Sequence, residues 1–392
     1  MRQRRGILAT IVLASVVALA GCGRDDAPGA LAPDAGGSAT GQAPTGTAHS
    51  APTTTGAQAT GPTQAAGSPI TPTGSASLLN RRLTTAELER YRPNELGRIV
   101  VLEYHQFGPE SEQFIRTPEQ FRGDLQWLYD NDFHLVNLHD VLDFNIDVPA
   151  GKRPVVLTFD DSAVSQFRLI PLADGNLAVD PECAIGILED FLARHPDFGR
   201  GGHFAVLPFQ MFNWPGEYDQ DLYARMKLRW LLDNGYELGN HTYEHVNMVE
   251  LEDDEIMYQL AEANNAILAL VPDAELRVIT LPYGMFPPGG DDSLFRGFTY
   301  QGRRYKWDGS LLIGSNPTES PISKEYDPYW IARIQAYDEE LARWQEIIAD
   351  SPGILFVSDG NPRTVTVPND LHPWLVDTLN ESAVGNRELI RY

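Results

Sequence analysis

The chain has 392 residues, a formal net charge of -24 and 42% hydrophobic residues. That acidity excludes nucleic acid as a partner and argues against recruitment by anionic lipid surfaces, whereas a neutral or amino-bearing ligand, or simply a soluble self-repelling surface, is compatible with it. The apolar fraction is ample for a large core once the N-terminal part is set aside.

The chain opens on Met1-Arg2-Gln3-Arg4-Arg5 and an apolar run from Ile7 to Ala20, too short for a bilayer-spanning helix and patterned as an export signal. Leu19-Ala20-Gly21-Cys22 resembles the lipobox of bacterial lipoproteins. The resemblance implies cleavage after residue 21 and lipidation of Cys22, hence an extracytoplasmic protein anchored to a membrane through that residue. Residues 22–77 are dominated by Ala, Gly, Thr, Pro and Ser, and no Phe, Trp or Tyr occurs from Gly23 to Ser77. Such a stretch cannot bury enough apolar surface to offset chain entropy and is expected to be a disordered tether, reaching about 40 Å as a flexible coil. Residues 78–392 then form one domain, expected to be monomeric. After lipidation Cys183 is the remaining thiol, so no intramolecular disulfide is possible and core filling is its expected role.

Within the domain, Thr84-Thr85-Ala86-Glu87 reads as a capping box opening a short helix that ends near Pro93. The β-branched run Ile99-Val100-Val101-Leu102 predicts a first strand delivering Tyr104 and His105 at its end. Thr117-Pro118-Glu119-Gln120 starts a helix whose Phe121, Leu125 and Leu128 share one face. Strands are expected at 132–138, 154–159, 202–207, 236–240, 276–281, 311–314 and 353–357, with helices at 181–192, 222–234 and along Ile256, Leu260, Ala263, Ile267 and Leu270. Alternation of this kind gives a parallel sheet with covering helices, either doubly wound or closed as a (β/α) barrel. Both place functional residues at the C-terminal strand ends.

His105, Asp160-Asp161, His241 and Pro282-Tyr283-Gly284 all follow apolar strands directly. Adjacent carboxylates at the end of a buried strand repel one another and lose solvation, so they call for a positive partner. His241 and His245, spaced i and i+4 as on one face of a helical turn, supply matching ligands for a metal.

With those residues the sequence resembles the polysaccharide deacetylase family of NodB-homology carbohydrate esterases. Thr158-Phe159-Asp160-Asp161, His241-Thr242-Tyr243-Glu244-His245 and Thr280-Leu281-Pro282-Tyr283-Gly284 match its first three motifs, over a region from about Arg98 to Asp359. The resemblance implies an irregular α/β (β/α) barrel and metal-dependent removal of acetyl groups from an N-acetylated polysaccharide. By position, Asp160 would be the general base. Asp161, His241 and His245 would hold a divalent metal, commonly zinc, with cobalt or nickel as alternatives. The Pro282-Tyr283 turn would present the Tyr283 backbone N–H to the oxyanion. Asn240 is expected to serve the turn before the ligands.

Two departures from the family pattern stand out. Thr280 replaces the Arg that opens the third motif and orients the base, and Arg333 is the candidate substitute, set against the alternative of a surface Arg. The late strand that ends in Leu-x-His in the family here ends Phe356-Val357-Ser358, with Ser358 in place of the general acid. The circularly permuted poly-N-acetylglucosamine deacetylases of the family take their acid from the first strand, which nominates His105, with His372 as second choice. His139, His195 and His203 are expected to be structural. Trp214, Trp307 and Trp330 are divided between sugar stacking and core packing. The competing functions are a catalytically inactive glycan-binding relative, motivated by the two departures, and a metal amidohydrolase acting on a non-sugar amide.

Overall fold

The computed structural model describes residues 79–213 and 218–392; the signal segment, Cys22, the linker, the start of the domain at residue 78 and Trp214 lie outside the described residues. Eight parallel strands make one sheet: β1 (Val100–Tyr104), β2 (Phe133–Leu135), β3 (Arg153–Phe159), β4 (His203–Val206), β5 (Glu237–Asn240), β6 (Val278–Thr280), β7 (Gly309–Leu311) and β8 (Ile334–Gln335). Their order is β7-β6-β5-β4-β3-β1-β8, with β2 also paired to the first half of β3. A parallel bridge from Leu311 to Ile331, just ahead of β8, joins the two edges and curls the sheet into an irregular barrel.

The apolar strands are continuous because both faces are buried. Val100, Leu102 and Tyr104 of β1 and Val155, Leu157 and Phe159 of β3 point outward into a core shared with the helices. The alternate residues Val101 and Val156 point inward, with Ile99, Val278, Leu311 and Phe356, and fill the barrel. Covering helices include α1 (Thr85–Tyr91), α2 (Pro118–Asp130), α3 (Ala184–Arg194), α4 (Ala224–Asp233), α5 (Asp253–Leu270) and α6 (Asp338–Asp350). The expected capping boxes at Thr84 and Thr117 are both formed, and Phe121, Leu125 and Leu128 are buried. Cys183 is buried at the N-cap of α3. No helix among the described residues is long and apolar enough to cross a membrane.

The expected strand at 353–357 is not one. Residues Pro352–Ile354 form a 3-10 turn, and the run beyond it makes only isolated bridges, Leu355 to Arg98 and Val357 to Asn94. It crosses the barrel mouth at the N-terminal strand ends, where Ser358 N donates to Lys152 O and Ser358 Oγ to Val148 O. Phe356 plugs the interior from below. Ser358 therefore lies on the face opposite Asp160 and does not occupy the position of a general acid.

His203 opens β4, is fully buried, and neither ring nitrogen has a hydrogen-bond partner. Gly239 on the neighbouring strand gives it room: a Cβ there would sit 2.3 Å from His203 Nε2. Burial pushes the imidazole down to about 3. The unfolded chain binds a proton below about pH 6.5 that the folded chain does not, so stability rises with pH between those values by about 1.4 kcal/mol per pH unit for this group. Unfolding free energies from urea titrations between pH 4 and 7 are expected to show a slope that flattens by about that amount in His203→Leu; an unaltered slope would contradict a buried neutral imidazole.

Candidate active site

The inward face of the upper strand ends carries polar residues in place of the Val and Ile below. Asp160 follows β3 and is 1% exposed. Arg333, one residue before β8 and fully buried, donates to both its carboxylate oxygens, Nη1 to Oδ1 and Nη2 to Oδ2, each at 2.8 Å. The same guanidinium donates to Thr158 Oγ1 at 3.0 Å and, through Nε, to Leu312 O at 2.7 Å. Arg333 thus stands behind Asp160 where sequence position left it open, and the surface alternative is excluded. Burial opposes ionisation of Asp160, but the Arg333 charge and its two hydrogen bonds outweigh it and hold the carboxyl below the usual range.

Asp161 Oδ1 lies 3.1 Å from His241 Nε2 and 3.2 Å from His245 Nε2. His241 Nδ1 is 2.8 Å from Thr280 O, and a carbonyl only accepts, so Nδ1 carries the hydrogen and Nε2 presents a lone pair in the neutral ring. Two acceptors at 3.1 Å repel unless a proton or a cation lies between them. Burial works against the charged form of both groups, yet the bond to Asp161 raises His241, and the bonds from the two histidines hold Asp161 far below the usual carboxylate range. The same convergence of one carboxylate and two imidazole nitrogens, with Thr280 O fixing the first ring, fits a divalent cation with open coordination positions.

The two histidines do not lie on a helical turn. Residues 241–247 have no helix, and both Thr242 (φ 62) and His245 (φ 57) are left-handed. Asn240 holds this loop, its Oδ1 accepting from Thr242 N at 2.8 Å and its Nδ2 donating to Leu260 O and Asn264 Oδ1, which bears out its turn role. Asp161 (φ 73) and Tyr283 (φ 58) are left-handed as well, so backbone strain gathers at the residues singled out for chemistry. Pro282 is buried and starts the 3-10 turn that carries Tyr283, whose exposed ring stands edge-on to His245 at 4.9 Å.

His105 follows β1 on the same face, mostly buried, with ligand atoms of His105, Glu103 and Asp160 all within 4.8 Å of one another. Burial lowers its pKa, against the pull of Asp160 and Asp161. Its aromatic neighbour is Phe114, edge-on at 4.9 Å and 43% exposed. His372 is elsewhere: it caps the 3-10 turn Pro373–Leu375 of the C-terminal segment, where its Nδ1 accepts from Trp374 N and its ring stands edge-on to Trp374. The structure brings together His105, Asp160, Asp161, His241, His245, the Pro282-Tyr283 turn and Arg333, and leaves His372 outside. Trp307 is core, whereas Trp330 is 46% exposed and stacks on Phe286 at 4.0 Å.

Sequence reasoning missed three supporting residues. Gln166 Nε2 donates to His105 O at 2.6 Å and also to Asp160 O, tying the first and third strand ends together. Gln210 Nε2 donates to Asp161 O at 2.6 Å. Glu103 lies inside β1, and its signal was legible: an acidic residue in a β-branched run, two positions before His105 and on the same inward face as Val101.

Fold and site together define a (β/α) barrel that gathers His105 and the Arg333-bound Asp160 beside the convergent Asp161, His241 and His245 at the C-terminal strand ends. A family model described as polysaccharide deacetylase matches residues 208–289, which include His241, His245 and the Pro282-Tyr283-Gly284 turn. The match does not reach the first motif, which closes β3 at Asp160-Asp161. Among solved structures it is similar to the Streptococcus pyogenes deacetylase PplD in complex with acetate, at 16% identity over 63% of this chain and 97% of that one, TM-score 0.46. It is also similar to IcaB from Ammonifex degensii, at 18% identity over 63% and 97% of the two chains, TM-score 0.45. A third is the de-N-acetylase from Aggregatibacter actinomycetemcomitans, at 15% identity over 63% and 99%, TM-score 0.42.

Proposed function

We propose that the chain is a metal-dependent hydrolase that removes acetyl groups from an N-acetylated polysaccharide at the cell envelope, tethered to a membrane by lipid on Cys22. The observation that carries this reading is the buried Asp160, held ionised by Arg333, beside the three convergent acceptors of Asp161, His241 and His245. Asp161, His241 and His245 would hold a divalent ion, most simply zinc, which would supply Lewis-acid polarisation of the acetyl carbonyl and of the attacking water.

The residues divide the remaining work. Asp160 accepts the proton of the attacking water on its carboxylate, a role that requires the ionised form Arg333 maintains. His105, on the neighbouring strand end, returns a proton to the leaving amine so that it departs neutral. The backbone N–H of Tyr283, carried on a left-handed turn, donates to the developing oxyanion in this reading. An acid from the first strand and an Arg from the last support the permuted poly-N-acetylglucosamine type of site. A glycan-binding relative without catalysis has no use for a buried carboxylate clamped by a guanidinium, which favours the enzyme over the inactive alternative.

Metal-loaded protein is expected to release acetate from at least one of chitin oligomers, poly-N-acetylglucosamine and peptidoglycan, to lose that activity after chelation and to regain it when a divalent ion is restored. Absence of release from all three would overturn the reading. Cys22→Ser is expected to move the protein from the membrane fraction to the soluble extracytoplasmic fraction.

A further inference from the structure

Glu103 is the buried ionisable group at the site that the reaction scheme does not use. Its side chain is wholly inaccessible and neither carboxylate oxygen has a hydrogen-bond partner, a costly arrangement for a carboxylate. Two nitrogen groups approach it, His105 Nε2 at 3.5 Å from Oε1 and Arg333 Nη2 at 3.4 Å from Oε2, and the Asp160 carboxylate lies within 4.8 Å. The glutamate thus bridges the imidazole assigned as acid and the guanidinium that clamps the base. A Leu or Val at this inward position would continue the pattern of Val101 and remove the cost, so the fold alone does not call for an acid here.

We propose that Glu103 is a positioning residue for the reaction, acting through His105 as the proton partner that lets this imidazole serve as general acid. This rests on the deacetylase reading above. The pair holds one proton between Glu103 Oε1 and His105 Nε2. When the C–N bond breaks, the imidazole gives the hydrogen on its other nitrogen to the leaving amine and accepts the Glu103 proton on Nε2. The imidazole ends neutral, the amine ends neutral, and the charge left on Glu103 faces Arg333. The surroundings agree with a proton held on this pair: burial pushes Glu103 up to about 8 against the pull of Arg333, with Asp160 and Asp161 adding to the rise and His241 opposing it. Burial likewise lowers His105, so a lone imidazole in this place would be a poor proton carrier.

The test is a double-mutant cycle on kcat for acetate release from a chitin oligomer, with metal content and urea midpoint measured for every variant. Glu103→Gln keeps the shape and removes the transferable proton. It is expected to lower kcat roughly 10- to 100-fold with KM and metal content preserved, and Glu103→Asp is expected to recover part of the loss. In a His105→Asn background the Gln substitution is expected to cost less than threefold further, because both changes remove the same proton path. Hydrolysis of an aryl acetate, whose leaving group needs no protonation, is expected to fall far less than release from the acetamide. Wild-type release combined with fully additive losses, or with equal losses on both substrates, would overturn this inference and leave the deacetylase reading standing. If the wild-type chain releases no acetate, that reading falls, and this inference falls with it.

Discussion

Asp160→Asn is expected to reduce acetate release by about three orders of magnitude, within the range for loss of a general base, while the protein still takes up its divalent ion. The amide has nearly the volume of the carboxylate but cannot accept a proton at neutral pH, and none of the three convergent ligand atoms belongs to residue 160. The expected signature is a collapse of kcat with metal stoichiometry retained, read by steady-state kinetics and elemental analysis on the same preparation. Some loss of stability accompanies it, because Arg333 exchanges a carboxylate for a neutral amide. That loss is limited by the partners the guanidinium keeps, Thr158 Oγ1 and Leu312 O, with Glu103 nearby. Metal content that falls together with activity would show that Asp160 belongs to the ligand set and would reverse the roles of the two aspartates.

Arg333→Gln is expected to be the more damaging change to the fold. Among the described residues the Asp160 carboxylate oxygens accept only from Arg333, so the substitution strands a fully buried charge. Breaking a buried pair from one side costs about 3–5 kcal/mol. The sign of the pH effect follows from the direction of the shift. In the wild-type chain Asp160 is held below its unfolded value, so it contributes stability above about pH 4 that is lost as the pH falls through the lowered folded value. Without Arg333 burial is opposed only by the smaller pull of His241 and His105, so the folded value is expected to rise and the stabilisation at neutral pH to shrink. The acid limb of kcat/KM is expected to move to higher pH in parallel, since the base must be ionised to act. A variant with the wild-type acid limb would mean that Arg333 does not govern the ionisation of Asp160.

Much of the site was legible because its key residues lie in short contiguous motifs. Asp160-Asp161 closes an apolar run, His241 and His245 follow the next such run but one, and Pro282-Tyr283 follows another, so chain order alone places them at strand ends. A parallel barrel sends all those ends to one face, which turns three local patterns into one site. The local conformation was less legible. Spacing of i and i+4 suggested a helical turn for the histidines, yet the loop reaches its geometry through left-handed Thr242 and His245, and its support comes from Asn240 and α5. A stretch rich in β-formers at 353–357 looked like a strand, but the position beside β1 is taken by β8, and the run packs under the barrel instead.

What the sequence by itself determined is the type of fold and the placing of Asp160, Asp161, His241 and His245 at strand ends, because each rests on residues adjacent in the chain and on hydrophobic patterning with a period set by local backbone geometry. What only the tertiary structure decided is the environment that makes those residues reactive. Arg333 stands 173 positions from Asp160 and Gln166 spans 61 positions to His105 O, so no local pattern connects them. Glu103 could be read as an oddity in a strand, but its place between His105 and Arg333 exists only once β3 and β8 flank β1. Charge, desolvation and hydrogen bonding act through space, and the closure of the barrel sets those distances.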